Sequence, residues 1–293
     1  GALRCMVSGT FNIAIGNNAL DAHTTGHYNV AVGRKALSAN TTAANNVAVG
    51  YESLFQNVTG GSNVAVGYRT LYSMSNFGQL NVAIGHQALK SQNADCMNVA
   101  VGANCLETVS TGAYNVAMGR LANNALTTGQ QNVTIGYAAA QTATTAQNCV
   151  TLGYNSSPSS DTAAHEVTLG NSSTNNLRCA DTSISSLSDR RDKTDIVDLP
   201  VGLDFIKSVR PVKFKWQTRD KTESKDGTVR AGFIAQELQE AQLGSEYLDL
   251  VMENNPEKLE AKQGKLIPVL VKAVQELSAE NTALKARLDA AGL

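Results

Sequence analysis

The chain has 293 residues and a formal net charge of −1, and 17% of its residues are charged. A nearly neutral chain gives no electrostatic argument for binding nucleic acid or an anionic membrane surface, and no apolar run approaches the roughly 18 residues of a membrane span. The charges are uneven, because residues 1–180 hold 7 Lys/Arg and 6 Asp/Glu while residues 181–293 hold 17 and 19. This asymmetry predicts two domains.

The N-terminus shows no basic-then-apolar signal, so we expect no export, and the absence of an initial Met is typical of a fragment or a processed end. The cysteines form no C-x-x-C pair and have no histidine at metal-binding spacing, so we expect no metal and no cofactor. An odd, scattered set indicates buried thiols in a reducing compartment rather than a disulfide framework. They are Cys5, Cys96, Cys105, Cys149 and Cys179.

The motif Asn-x-Ala/Thr-apolar-Gly recurs ten times in residues 12–170, with Cys149 and Glu166 replacing Asn in the last two copies. The spacing is 17 residues at every step but one, where an insertion within residues 75–79 makes it 18. A short fixed period predicts a solenoid, and 17 residues are too few for a pair of helices. We therefore predict an all-β solenoid or β-roll over residues 1–170.

Each copy predicts the same local structure. β-Branched residues alternate with a small one as in a short strand with one packed face, and the Gly ends the strand where a corner needs positive φ. We expect the Val, Ile and Ala residues of the strands to fill the interior, and the stacked Asn side chains to form an amide ladder that weakens toward residue 170. A second inward position is marked by Leu20, Leu37, Leu54, Leu71, Leu89 and Leu106.

Aromatic and cationic residues follow the motif Gly in many copies and should line up along one edge. They form either a solvated corner or a multivalent stripe that contacts a receptor. The candidate receptor-binding residues are Tyr51, Tyr68, His86, Tyr137 and Tyr154, with Arg34 and Arg120 in the same column. Other chemistry is disfavoured, since the calcium-binding nonapeptide pattern is absent, the periodic threonines fall mostly in turns rather than on a flat ice-binding face, and no two acids form the pair that a glycosidase needs.

The Asn-Val-Ala-Val-Gly segments resemble the head repeats of trimeric autotransporter adhesins of the YadA type. The resemblance implies a trimeric β-roll that presents its outer surface to a cell.

Residues 171–187 are rich in Ser, Asn and Thr and are predicted to be a linker before a charged domain at residues 188–293. Heptad spacing then predicts a short coiled coil that starts near Pro268. Its seam would contain Ile267, Leu270, Val274, Leu277, Asn281, Leu284 and Leu288. Periodicity in between predicts a helix at 201–209, a strand at 212–216, a charged loop at 220–227, a strand at 229–233 and a helix at 234–241.

The second domain resembles the intramolecular chaperone auto-processing domain that ends phage endosialidases, tail spikes and long tail fibres, with a relative in myelin regulatory factor. The resemblance rests on Ser-Asp-x-Arg-x-Lys at 188–193, Pro-x-x-Phe-x-Trp at 211–216, Gly-Phe-Ile-Ala-Gln-Glu at 232–237 and the apolar segment at 266–277. It implies an α+β domain that forms a homotrimer and cuts itself free with a Ser/Lys dyad. It also places Asp189 and Arg191 in the site. The heptad residues alone favour two strands, whereas the resemblance favours three.

The residues themselves permit this chemistry. No His follows His165, so Lys193 is the candidate base for Ser188. Desolvation lowers the pKa of a lysine, which can then take the proton of an attacking hydroxyl. The attacked carbonyl would be that of Leu187, which is already beside the nucleophile. The alternative is a polar turn with ordinary surface charges.

These features predict a homotrimeric phage tail fibre or spike segment in the virion, for attachment to a host cell. Its C-terminal chaperone would drive trimer folding, cleave once in cis between Leu187 and Ser188 as a serine endopeptidase, and be released in the host cytoplasm. The expected partners are two further copies and a glycan or protein receptor on the host surface. The alternatives are a non-viral adhesin or regulatory protein with the same clamp, and a depolymerase tail spike.

Overall fold

The computed structural model describes residues 1–74, 78–93, 97–174, 176–178, 187–217 and 224–292, with only the backbone at 224–226. The chain divides into two compact units, Gly1–Arg178 and Cys179–Leu293. The finer division into residues 1–170, a linker and residues 188–293 stays a prediction. Part of the predicted insertion (75–77), part of the linker (179–186) and part of the charged loop (218–223) lie outside the described residues.

The first unit is a β-solenoid built on one parallel sheet, as the 17-residue period predicts. Each motif copy contributes one three-residue strand, and the ten strands pair in chain order. Their register is constant, so that Ala48 lies opposite Ala65 one coil later. The strands are β1 (Ile13–Ile15), β2 (Val30–Val32), β3 (Val47–Val49), β4 (Val64–Val66), β5 (Val82–Ile84), β6 (Val99–Val101), β7 (Val116–Met118), β8 (Val133–Ile135), β9 (Val150–Leu152) and β10 (Val167–Leu169).

The interior is filled by the middle residue of each strand and by the leucine series. Ala48, Ala65 and Leu54 are fully buried, which confirms two inward positions per coil. The second position lies in a turn rather than a strand, and Leu54 has a φ of 52°. The turn lets each coil close with only one strand.

The first and third residues of each strand point away from the interior, so the prediction that Val and Ile fill it is wrong. Ile84 and Ile135 are 40% and 41% exposed, whereas Ala83 between the outer residues of β5 is fully buried. Side chains alternate between the two faces of a strand, and the narrow coil accommodates the smaller one.

The corner after each strand requires glycine. Gly67 has a φ of +137°, and a Cβ built there would lie 2.4 Å from the carbonyl oxygen of Gly85 in the next coil. Any other residue would force neighbouring coils apart at this point.

The stacked asparagines form the predicted amide ladder. The backbone N–H and Nδ2 of Asn63 donate to Oδ1 of Asn46 at 3.0 and 3.1 Å. The backbone contact continues along the solenoid to Asn132, whose Oδ1 accepts the backbone N–H of Cys149 at 3.0 Å. The ladder then ends, because Glu166 turns to bind Ser159 instead.

The second unit is a small α+β arrangement. Its elements are α1 (Leu203–Ser208), β11 (Val212–Gln217), β12 (Ser224–Gly232), α2 (Ala235–Ala241), β13 (Val251–Met252), β14 (Glu260–Ala261) and α3 (Leu266–Ala290). β11 pairs with β12 and β13 with β14, both antiparallel. β12 begins at Ser224, inside the segment predicted as a loop, because its ladder with β11 extends past Val229. The β13–β14 pair was not predicted, since two-residue strands leave no periodicity.

The C-terminal helix α3 has two apolar faces. Leu266 and Val269 are buried in the core of the second unit, whereas Ile267 and Val274 on the predicted seam are 61% and 65% exposed. Oε2 of Glu276 accepts the backbone N–H of Leu203 at 2.7 Å and so joins α3 to the start of α1. Among the described residues, no helix combines the length and the apolar character needed to cross a membrane.

Candidate active site

A short turn at the start of the second unit brings residues 188 and 193 together. Residues Arg190–Asp192 form one turn of 3-10 helix. Asp189 caps it, because its Oδ1 accepts the backbone N–H of Arg191 at 2.9 Å. The backbone N–H of Lys193 donates to the carbonyl of Arg190 at 3.2 Å and closes the turn.

Nζ of Lys193 lies 2.6 Å from Oγ of Ser188 and donates a hydrogen bond to it. A candidate base must reach the proton that it removes within about 2.6–3.2 Å. Once the lysine is neutral, the same contact carries the proton in the opposite direction, from Oγ to Nζ. The geometry is thus competent for the chemistry that the spacing predicts, while the catalytic roles stay a prediction.

Asp189 and Arg191 pair with each other across the turn. Nε of Arg191 lies 3.1 Å from Oδ1 of Asp189, and Nη2 lies 2.6 Å from Oδ2. Hydrogen bonds from the Arg191 side chain and backbone lower the pKa of Asp189. The pair holds the turn in shape, and the place of both residues in the site stays a prediction.

The turn is open to solvent. All residues from Leu187 to Lys193 are exposed, and the Leu187 side chain is as exposed as in an extended chain. A lysine loses its proton more readily when water is removed from around it. Within the described part of a single chain, nothing provides that cover.

The predicted aromatic stripe exists as two stacks of rings. Tyr51, Tyr68 and His86 stack at centroid distances of 5.4 and 5.0 Å, and Tyr137 stacks on Tyr154 at 5.4 Å. Rings stacked in this way present their edges and hydroxyl groups, rather than their faces, to a ligand.

Each stack begins with an arginine from the preceding coil. Nη1 of Arg34 donates to the hydroxyl of Tyr51 at 2.9 Å, and Nη1 of Arg120 donates to that of Tyr137 at 3.1 Å. Each guanidinium also lies over the ring, at 5.4 and 5.6 Å from its centroid. Ala103 occupies the position between the two stacks.

A column of ion pairs between successive coils, formed by residues two positions after the motif Gly, was not predicted from the sequence. The Glu52 side chain is only 5% exposed and lies between Arg69 at 2.9 Å and Lys35 at 3.6 Å. Burial alone would raise the pKa of Glu52, but hydrogen bonds from Tyr51 and Arg69 and the charges of Arg69 and Lys35 together lower it. The signal in the sequence was the alternation of charge sign at a spacing of 17.

The described cysteines of the solenoid do not form a second reaction centre. Cys105 and Cys149 are free and buried, and burial raises the pKa of Cys105 to about 12. Cys5 is exposed, contrary to the expectation of burial, and Cys96 and Cys179 lie outside the described residues. No cluster of three or more His, Cys, Asp or Glu that could hold a metal occurs among the residues described.

Residues 188–248 match the family model described as chaperone of endosialidase. The match begins at Ser188, the candidate nucleophile, and covers 61 of the 293 residues, counted from 188 through 248. This is a family of self-cleaving intramolecular chaperones. The matched segment includes the turn, the β11–β12 pair and α2. Neither a curated protein nor a solved structure was found to match the chain, so the YadA-type resemblance of the repeats stays a prediction.

Proposed function

We propose that this chain is the body of a homotrimeric phage tail fibre or tail spike, followed by an intramolecular chaperone that cuts itself free between Leu187 and Ser188. The observation that carries the proposal is the 2.6 Å contact between Nζ of Lys193 and Oγ of Ser188. It lies at the first residue of the segment that matches the chaperone family.

The proposed cleavage is an acyl shift from nitrogen to oxygen followed by hydrolysis. Neutral Lys193 takes the Oγ proton while Oγ of Ser188 attacks the carbonyl carbon of Leu187. The peptide C–N bond then breaks, the proton passes to the Ser188 nitrogen, and Leu187 is left as an ester on Oγ. Water hydrolyses the ester, which gives a carboxylate at Leu187 and a free amine at Ser188.

Assembly is proposed to switch this reaction on. The turn is exposed in one chain, whereas a lysine base works best when water is excluded. The exposed seam of α3, with Ile267 and Val274 more than half exposed, supports association of copies. The family match likewise implies a trimer. Cleavage would then follow trimer formation, when neighbouring copies cover the turn.

The test is a denaturing gel of three variants. Wild-type protein should give two bands of roughly 20 and 11 kDa by residue counting in place of one band at 30.9 kDa. Ser188→Ala and Lys193→Ala should each leave the full-length chain, still trimeric by light scattering. Asp192→Asn, in the same turn, is the control and should cleave. Cleavage of Lys193→Ala at the wild-type rate would remove Lys193 from the mechanism.

We also propose that the body attaches to a host cell through the aromatic stripe. The Tyr68, Tyr137 and Tyr154 side chains are 40%, 42% and 64% exposed. Weak contacts repeated along the stripe, and in three copies, would add through avidity. Because ring faces are stacked on one another, the hydroxyl edges are the groups that would contact a glycan or protein receptor.

The attachment proposal is tested by changing Tyr51, Tyr68, His86, Tyr137 and Tyr154 together to Ser. The variant should lose binding to susceptible cells and keep its circular dichroism spectrum. Phe55→Ser with Tyr72→Ser, a stacked pair in another column, is the control and should bind. Binding by the five-residue variant would place the receptor site elsewhere.

No observation on the described residues favours a depolymerase. The described solenoid carboxylates are already engaged by neighbouring side chains, as Glu52 is by Arg69, Asp21 by Arg4 and Asp161 by Thr142. A glycosidase needs two carboxyl groups that face a sugar.

A further inference from the structure

We propose that the outer strand face, defined as the first and third residues of β1–β10, is the surface on which three copies of the solenoid pack together. The inference rests on the proposed homotrimer, and it names the surface that joins the bodies of the three chains. The partner is a second copy of this same chain.

The composition of the outer strand face is uniform. All of its twenty residues are Val, Ile, Leu or Met, and none is polar or charged. None is buried within the single chain, and Ile15, Met118 and Leu169 are 60%, 42% and 49% exposed. A strand interior explains one apolar face but not a second, because the solvent face of a solenoid strand would ordinarily carry polar residues.

The size of the face fits an interface. Ten strands at a spacing of about 4.8 Å give a length of roughly 43 Å, and two columns of side chains give a width of roughly 10 Å. The resulting area of roughly 400 Å² is within the range of the largest apolar patch on a typical monomer, a patch that is often functional. The exposed seam of α3 has a similar extent, about 37 Å by 10 Å, from its 25 residues. Both surfaces together give each chain roughly 800 Å², shared between its two neighbours, so each pairwise contact is at the low end of interface sizes.

A copy of the same chain is the occupant that these features fit. The outer strand face offers no charge for an acidic or basic partner to recognise, and no basic residues that would hold an anionic lipid surface. A parallel copy places apolar residues opposite apolar residues along the whole length. Once α3 associates, three identical faces are held close together, so a weak contact per coil acts at high effective concentration.

The test uses two cysteine variants of the full chain. Ile84→Cys lies on the outer strand face and Tyr68→Cys on the corner of the preceding coil, and both original side chains are 40% exposed. Mild oxidation should link Ile84→Cys chains into dimers on a non-reducing denaturing gel and leave Tyr68→Cys chains single. The Ile84→Cys thiol should react with a bulky maleimide about tenfold more slowly than the Tyr68→Cys thiol, because labelling at residue 84 requires the interface to open. Wild-type protein gives the background from the native cysteines.

Light scattering on the same samples separates the inference from the proposed function. A trimer in which the two thiols react equally fast and Ile84→Cys does not cross-link would overturn the inference and leave the trimer standing. A trimer that cross-links through Tyr68→Cys would also overturn it, since the corner would then face the partner. A monomeric protein would contradict the proposed homotrimer as well.

Discussion

At the residue scale, the asparagine of each motif connects a coil to both of its neighbours. Asn63 donates to Oδ1 of Asn46 on one side, and its own Oδ1 accepts from the backbone and side chain of Asn81 on the other, at 3.0 Å in both cases. Its Nδ2 also donates to the carbonyl of Gly78. All of these groups are buried, so each lost contact leaves a polar atom without water.

Asn63→Ala should therefore destabilise the solenoid strongly. The substitution leaves the buried N–H groups of Asn81 and the carbonyl of Gly78 without their Asn63 partner. Each unsatisfied group costs about 1–3 kcal/mol, so we expect the free energy of unfolding to fall by about 3 kcal/mol. Denaturant unfolding at constant protein concentration measures it. Asn17→Ala, at an exposed Asn, should change stability by less than about 0.5 kcal/mol. Equal effects of the two substitutions would contradict a structural role for the ladder.

Glu52 should make the stability of the solenoid depend on pH. Its pKa is lowered from the ordinary value of 4.5 in the folded chain, so its contribution is present above 4.5 and is lost as the pH falls through the folded value. Glu52→Gln should lower the melting temperature at pH 7, and the difference from wild type should shrink below pH 4.5. Thermal melts between pH 3 and 7 measure it, and a difference that does not change with pH would exclude the ion pairs as its cause.

At the element scale, α3 has one apolar face buried in its own unit and a second apolar face that is exposed. Val269 and Ala273 pack into the core of the second unit, whereas Leu277 and Leu284 on the seam are 47% and 51% exposed. A helix whose apolar residues recur every 3.5 residues buries that seam against other helices. The seam is therefore expected to hold the copies together.

Leu277→Lys should dissociate the trimer of the full-length chain, or raise its dissociation constant at least about tenfold, because three lysines would meet at the seam. Analytical ultracentrifugation measures the shift from trimer to monomer. Gln275→Lys adds the same charge at an exposed position outside the seam, and it should leave the trimer intact. Dissociation by both variants would indicate a general effect of charge.

Periodicity predicted the elements better than it predicted the direction of their side chains. The Val-Ala-Val pattern shows that Val and Ala lie on opposite faces of a strand, but not which face is inside. Hydrophobicity favours Val inside, whereas the width of a 17-residue coil admits only Ala65 and its equivalents. Ser188 and Lys193 likewise lie close together because of the turn that Asp189 caps. Their spacing in the sequence indicated the chemistry, but it did not predict the turn or its cap.

At the scale of the whole molecule, the chaperone is expected to act on folding rather than on final stability. Pairing three long β-solenoids is slow and exposes apolar surface in the meantime. Once the solenoids have folded together, the barrier to unfolding preserves them without the clamp. Cutting at Leu187 after assembly would then cost the body little.

A gene that ends at Leu187 should give insoluble or monomeric product. The same residues released from the full-length chain should remain trimeric and resist heat, because the two samples differ only in how they folded. Ser188→Ala keeps the chaperone domain attached and is the control for solubility. Soluble trimer from the shortened gene at normal yield would show that no chaperone is needed.

The constant register of the strands has a consequence for alignment. A solenoid whose outer strand face repeats every coil has translational symmetry, so sliding one copy by a single strand spacing, about 4.8 Å, restores nearly the same apolar contacts. The face therefore supplies adhesion but almost no positional information. That information must come from a part of the chain that does not repeat, such as the seam of α3 with its single Asn281. A segment needed only to choose one alignment becomes dispensable once the choice is made, and self-cleavage at Ser188 would remove it at that moment.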